Sequence, residues 1–226
     1  MDRRRKDSRS KSSKRKTRHS KDDALSETEL QKLIETADNR FDRAIVVLSG
    51  YEGMRSSEIA HMTKDWVDFQ DDTITIPEEQ NCNCSECIVR KKRLAMQDGA
   101  SKDEVDKIKK GIWMPKTENS ARMIPIRNKA KQYIHDYFNA FDDIGCSRVT
   151  VFNHIKDIAK RSKITKKIYP HSLRSTSASL WGLTGISATA LCKIMGWSDI
   201  ETAYSYVNAD MESAVQEGKW RDNQTR

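Results

Sequence analysis

HSLRSTSASLWGLTGISATALCKIMGWSDIETAYSYV, residues 171–207, reads as three short helices over 172–183, 187–195 and 199–208, divided by glycine-containing breaks. His171 and Arg174 stand three residues apart, which puts both on one helical face. Trp197 follows a glycine, and Tyr206 lies nine residues beyond it, with Tyr204 as a competing phenol. Singly these are weak signals. HxxR arises easily by chance, and most helix tyrosines are half-buried aromatics with a hydroxyl at the surface.

Working outward, helical periods continue upstream over residues 128–141 and 149–162. IWMPKTENSARMIPI, residues 112–126, reads as two strand-like runs about a polar turn, a hairpin presenting Lys116. WVDFQDDTITIPE, residues 66–78, gives two more short strands joined at Gln70–Asp72. GMRSSE, residues 53–58, places Arg55 and Glu58 at the start of the short helix SSEIAHM. Before it, FDRAIVVLSGYEG has helical character, and SETELQKLIETA opens on a capping-box pattern that marks where the folded domain begins. The expected fold class is α+β: a mostly α-helical domain, residues 25–210, with one small antiparallel β-sheet near its middle.

The net charge of +8 is unevenly distributed. Residues 1–21 hold eleven Lys/Arg against two Asp, a charge of 11 − 2 = +9, so the remainder carries 8 − 9 = −1. Residues 1–24 are therefore expected to be a basic disordered tail, too poor in apolar groups to offset its ordering entropy and suited to a polyanion such as double-stranded DNA. Residues 211–226 form a polar C-terminal tail with Trp220. No apolar run approaches the ~20 residues of a membrane span, so the expectation is a protein with no membrane partner, in the cytoplasm and beside the nucleoid. Five cysteines, an odd number with three in one stretch, argue for reduced thiols.

Residues 78–111 look inserted: NCNCSEC, then a highly charged stretch expected as a solvated helix or loop. Cys82, Cys84 and Cys87 have a CxCxxC spacing that offers three thiolates to one structural zinc, with Cys146, Cys192 or His61 as candidate fourth ligand; the competing reading is free thiols in a loop.

The pieces gain weight from their order. GxRxxE, a KTxxxxR strand, HxxR, and GW with a tyrosine nine residues on together resemble the signature of the tyrosine recombinase (phage integrase) family over residues 25–210, in an archaeal or phage setting. The resemblance implies that family's catalytic fold, with Arg55 and Arg174 clamping a scissile phosphate and Glu58 supporting Arg55. It implies His171 as proton acceptor or phosphate-orienting group, Lys116 as the acid for the leaving 5′ hydroxyl, Trp197 as a hydrogen-bond donor to a phosphate oxygen and Tyr206 as the nucleophile. The reaction so implied is cleavage and rejoining of DNA through a 3′-phosphotyrosyl link, needing neither metal nor ATP, by a homo-oligomer, a tetramer on DNA, serving a virus or mobile element. The alternatives are a type IB topoisomerase using the same residues and a non-catalytic DNA-binding regulator. Family members typically carry a helical domain of about a hundred residues ahead of the catalytic one. Here roughly 25 residues precede the first helix, so the expected clamp around DNA is incomplete.

Overall fold

The structure, a computed structural model, describes residues 20–207. The C-terminal tail and residues 1–19 lie outside the described residues, but the last part of the expected basic tail is ordered. Ser20–Asp23 form a 3₁₀ turn, the Tyr169 hydroxyl donates to Asp23 Oδ2 at 3.1 Å, and Leu25 N–H donates to Thr176 Oγ1 at 2.9 Å.

The first helix, α1 (Glu27–Glu35), begins at Ser26, whose hydroxyl accepts from Glu29 N–H while the Glu29 carboxylate accepts from Ser26 N–H. The next, α2 (Arg40–Gly50), is unbroken apolar sequence from Ala44 to Leu48, and all five of those residues are fully buried. A helix apolar on every side must be surrounded. Accordingly α1, α6 (Asn128–Phe138), α7 (Arg148–Ser162) and α8 (Pro170–Gly182) pack around it. The short α3 (Ser56–His61) adds Ile59 and Ala60 to the same core and packs mainly on α7.

A second, smaller core joins α8 to α9 (Ala188–Met195) and α10 (Ile200–Val207) through Ala178, Leu191, Met195 and Ala203. A side chain on Gly182 of α8 would run into the backbone carbonyl of Tyr206 in α10, so this contact needs a glycine.

The sheet differs from expectation. Among the described residues there are two small antiparallel sheets rather than one. The first has the order β1 (Val67–Asp68), β2 (Thr73–Ile76), β5 (Arg122–Pro125), with Ile74 opposite Ile124 and Ile76 opposite Arg122. The second pairs β3 (Gln80–Cys82) with β4 (Gly111–Trp113), Cys82 opposite Gly111. The runs on either side of Lys116 therefore do not form a hairpin with each other. Pro115 lacks an N–H, which weakens any ladder made by the run before Lys116, and β2 offers β5 a buried apolar partner in Ile74, opposite Ile124. The insertion folds as β3, α4 (Ser85–Gln97), α5 (Lys102–Asp106) and β4, and its helices are solvated: α4 buries only Cys87 and α5 only Val105. Among the described residues no helix is long and apolar enough to cross a membrane.

Candidate active site

Arg55 sits at the N-cap of α3 and Glu58 one turn inside it. The Glu58 carboxylate reaches back to Arg55, accepting from its backbone N–H at 2.8 Å and from Nη1 at 2.7 Å. This orders the arginine side chain on the helix that carries it. Arg55 Nη1 also donates to Ser120 Oγ at 3.0 Å, and Nη2 to the Gly196 carbonyl at 2.9 Å. Three separated stretches of chain thus converge on one guanidinium.

Glu58 is fully buried and takes two further donors from Arg122, Nη1 to Oε1 and Nη2 to Oε2, both at 3.0 Å. Burial alone would raise its pKa, but the charges of Arg122, Arg174 and Arg55 outweigh it and hold the carboxyl below its ordinary value. Arg122 was visible in the sequence only as the last residue of a KTxxxxR pattern. Its role appears once β5 is paired with β2, which carries its guanidinium inward to Glu58 and to the Ile194 carbonyl at 2.7 Å.

In α8, His171 is exposed in a first turn whose Ser172 and Leu173 are buried, and Arg174 is almost wholly buried one turn on, at 6% exposure. Arg174 donates to the carbonyls of Gly53 and Met195. Burial, then Arg55 and Arg122, lower its proton affinity, yet an arginine starts so high that it stays cationic. His171 is pushed below its ordinary value by partial burial, then by the charges of Arg174, Arg55 and Lys116. Lys116 is exposed two residues beyond Met114 on the linker that leaves β4. One open cleft is lined by Arg55, Lys116, Arg148, Tyr169, His171 and Arg174. Sequence reasoning did not single out Arg148, which also meets Glu86 at 3.4 Å.

Trp197 and Tyr206 do not line that cleft. They stack on each other beside it, ring centroids 5.5 Å apart and planes 23° off parallel, so the indole faces a ring rather than the open cleft. The Tyr206 hydroxyl donates to Ser175 Oγ at 3.2 Å, and Ser175 is the residue after Arg174. The Lys21 ammonium lies 5.1 Å from the Tyr206 ring centroid. Tyr204 points outward at 42% exposure, with no ring contact among the described residues.

Arg55, Arg122 and Arg174 set three guanidiniums against the single buried carboxylate of Glu58, leaving two positive charges, with Lys116 adding a third at the cleft. Buried uncompensated charge is costly. An anion in the cleft relieves that cost, and two forked guanidiniums suit the oxygens of a phosphate.

The cysteines of the insertion gather elsewhere. Cys82, Cys84 and Cys87 meet His61 at the far end of α3, and the four ligand atoms all lie within 4.8 Å of one another. Cys192 is removed from the cluster: its thiol donates to the Trp197 carbonyl at 3.2 Å.

The profile of the Phage integrase family matches residues 23–213. Among solved structures, the chain is similar to XerA recombinase, with a TM-score of 0.59 and 20% identity over 88% of this chain and 62% of that one. It is similar also to the Tn1549 transposon integrase in complex with transposon right end DNA, with a TM-score of 0.60 and 18% identity over 88% of this chain and 65% of that one. The integrase from mycobacterium phage Brujita gives 0.53 and 15% over 76% and 48%. At these identities the likeness is one of fold, and the chain spans less than two thirds of the length of each of the three. Comparison with curated proteins finds no match.

Proposed function

The chain belongs to the phage integrase family, and from that premise and the cationic cleft we propose that it is a tyrosine site-specific recombinase acting on double-stranded DNA. One observation carries this reading: Arg55, Lys116, His171 and Arg174 line one cleft, and the residue after Arg174 holds the hydroxyl of Tyr206.

In the proposed reaction Arg55 and Arg174 grip the non-bridging oxygens of the scissile phosphate and stabilise the charge that builds in the pentavalent transition state. Glu58 and Arg122 position Arg55. The Tyr206 oxygen attacks phosphorus, passing its proton to His171, which is neutral at neutral pH. The bond to the 5′ oxygen breaks, and that oxygen takes a proton from Lys116. The product is a 3′-phosphotyrosyl ester and a free 5′ hydroxyl. Because one phosphoester replaces another, a 5′ hydroxyl from a second duplex reverses the step without ATP. Trp197, stacked on the nucleophile, orients the Tyr206 ring.

DNA as the partner is supported by the Tn1549 integrase, solved in complex with transposon right end DNA. The active assembly is a tetramer on two duplexes, in the cytoplasm of a prokaryotic host and on its nucleoid, moving the genome of a virus or mobile element.

The test is a set of nicked suicide duplexes, incubated with the wild-type chain, Tyr206→Phe and Tyr204→Phe and resolved on a denaturing gel. The expected result is a covalent protein–DNA band lost only in Tyr206→Phe. DNA binding with no band on any substrate would make the chain a regulator. A band accompanied by relaxation of supercoils, with no complex containing two duplexes, would make it a topoisomerase.

A further inference from the structure

We propose that His61, Cys82, Cys84 and Cys87 form a structural zinc site that pins the charged insertion to the helix carrying Arg55. The proposal stands apart from the recombinase reading, because none of its four ligands takes part in the proposed chemistry.

The donor set is the first argument. Three thiols and one imidazole make a Cys₃His set, one of the closed tetrahedral combinations of structural zinc, and sulfur-rich tetrahedral sites favour Zn²⁺. Geometry is the second. Zinc–sulfur and zinc–nitrogen bonds of roughly 2.3 and 2.05 Å at the tetrahedral angle place sulfur and nitrogen about 3.6 Å apart. His61 Nε2 lies 3.4 Å from Cys84 Sγ and 3.5 Å from Cys87 Sγ.

The third argument is the shell behind the ligands. His61 Nδ1 lies 2.8 Å from the Ser57 carbonyl, which can only accept, so the proton sits on Nδ1 and the Nε2 lone pair faces the sulfurs. The imidazole is stacked on Trp113, centroids 5.4 Å apart and planes 20° off parallel. Gln80 ties the same corner together, donating to the His61 carbonyl at 3.1 Å and accepting from Trp66 Nε1 at 2.6 Å. Two backbone N–H groups already point at sulfur, Cys84 N at Cys82 Sγ and Cys87 N at Cys84 Sγ, both at 3.4 Å. Gly111, opposite Cys82 in the ladder, lets α4 close in: a Cβ there would lie 2.6 Å from the Cys87 carbonyl oxygen.

The fourth argument is need. Between residues 78 and 110 only Cys87 and Val105 are buried, too little apolar area to hold two helices in place. A metal bonded to α3 on one side and to β3 and α4 on the other supplies the missing anchor. It also fixes the root of the linker that carries Lys116, since that linker leaves β4 at Trp113, the residue stacked on His61. Cys146 lines the same hollow, but its thiol turns to the Ser147 carbonyl at 3.5 Å.

The experiment is elemental analysis of the full chain purified without chelator, followed by replacement of the bound metal with Co²⁺ and absorption spectroscopy. We expect about one zinc per chain, and a Co²⁺ form showing tetrahedral d–d bands with thiolate-to-cobalt charge transfer. His61→Ala and Cys84→Ser should lose most of the metal and Cys146→Ser should keep it. Chelation should speed amide exchange at least tenfold in α4, α5 and β3–β4 while leaving α2 and α6 protected. A chain with no zinc, or iron instead of zinc, would overturn the proposal, as would full stoichiometry in His61→Ala or loss of metal in Cys146→Ser. Should a variant fail to fold, the wild-type Co²⁺ spectrum decides: no charge-transfer band means no thiolate site.

Discussion

Glu58 and Arg122 face each other as a bidentate pair inside the protein, with both side chains almost completely hidden from solvent. The same carboxylate orders Arg55, so the pair couples the small sheet to the cleft. Breaking a buried pair from one side leaves the other charge stranded, at a cost of about 3–5 kcal/mol. Arg122→Ala is therefore expected to lose stability of that order in urea unfolding and to weaken DNA binding, because one of the three positive charges set against Glu58 is lost. Arg122→Lys keeps the charge but not the fork, and should fall between. A loss below about 1 kcal/mol in Arg122→Ala would show that Glu58 finds other partners.

Gly182 controls the tyrosine from a distance. Because a Cβ there collides with the Tyr206 carbonyl, Gly182→Ala must push α10 away from α8. Overpacking of this kind costs roughly 1–3 kcal/mol. The atoms that a Cβ on Gly182 meets all belong to α10, not to the large core around α2, so the domain should stay folded and bind DNA with little change. Covalent capture of suicide DNA should drop at least tenfold, since displacing a reacting group by about an ångström is enough to cost that much. Equal loss of binding and capture would mean that the substitution unfolds the domain instead.

What could be read from the sequence was local. The apolar run of α2, the Ser26 capping box, Arg55 with Glu58, and His171 with Arg174 are all set by spacings of a turn or less, and helical geometry turns such spacings directly into neighbours. Strand pairing is different, because a strand's partner is chosen by tertiary context. That is why the run before Lys116 joined β3 and the run after it joined β2. The structural roles of Arg122, Ser175 and Gly182 were hidden for the same reason: each acts on a residue far away in the chain. His61 stood as one of three equal candidates beside the cysteines, and only the fold of α3 against β3 and α4 brings it to them.

Glu52 is fully buried, with Oε1 accepting from Arg127 N–H at 3.2 Å and Oε2 without a hydrogen bond. Burial pushes its pKa up to about 8, against a smaller opposing pull from Arg127. The unfolded chain releases this proton near 4.5 and the folded one holds it to about 8. Between those values the folded state binds more protons, so stability falls as pH rises, by about 1.4 kcal/mol per unit at most. Glutamine mimics the protonated acid. Glu52→Gln should flatten this slope and be more stable than wild type by a few kcal/mol at pH 8, with little difference at pH 4.5. Parallel stability curves for the two proteins would remove Glu52 as the cause.

His171 carries the opposite kind of shift. Partial burial, then Arg174, Arg55 and Lys116, disfavour its cation, so the free imidazole stays neutral below the ordinary histidine value of 6.5. A base that must take the Tyr206 proton is ready at neutral pH only in that form. NMR titration of the free chain should find His171 midpoint below 6.5, moving upward in Lys116→Ala as one cation is removed. Single-turnover cleavage should hold its rate from pH 8 to 6.5 and fall at lower pH, and His171→Gln should abolish that acid limb along with most of the rate. A midpoint above 6.5 would mean that the imidazole enters the cleft charged, and His171 would then act as a donor to the phosphate rather than as the base.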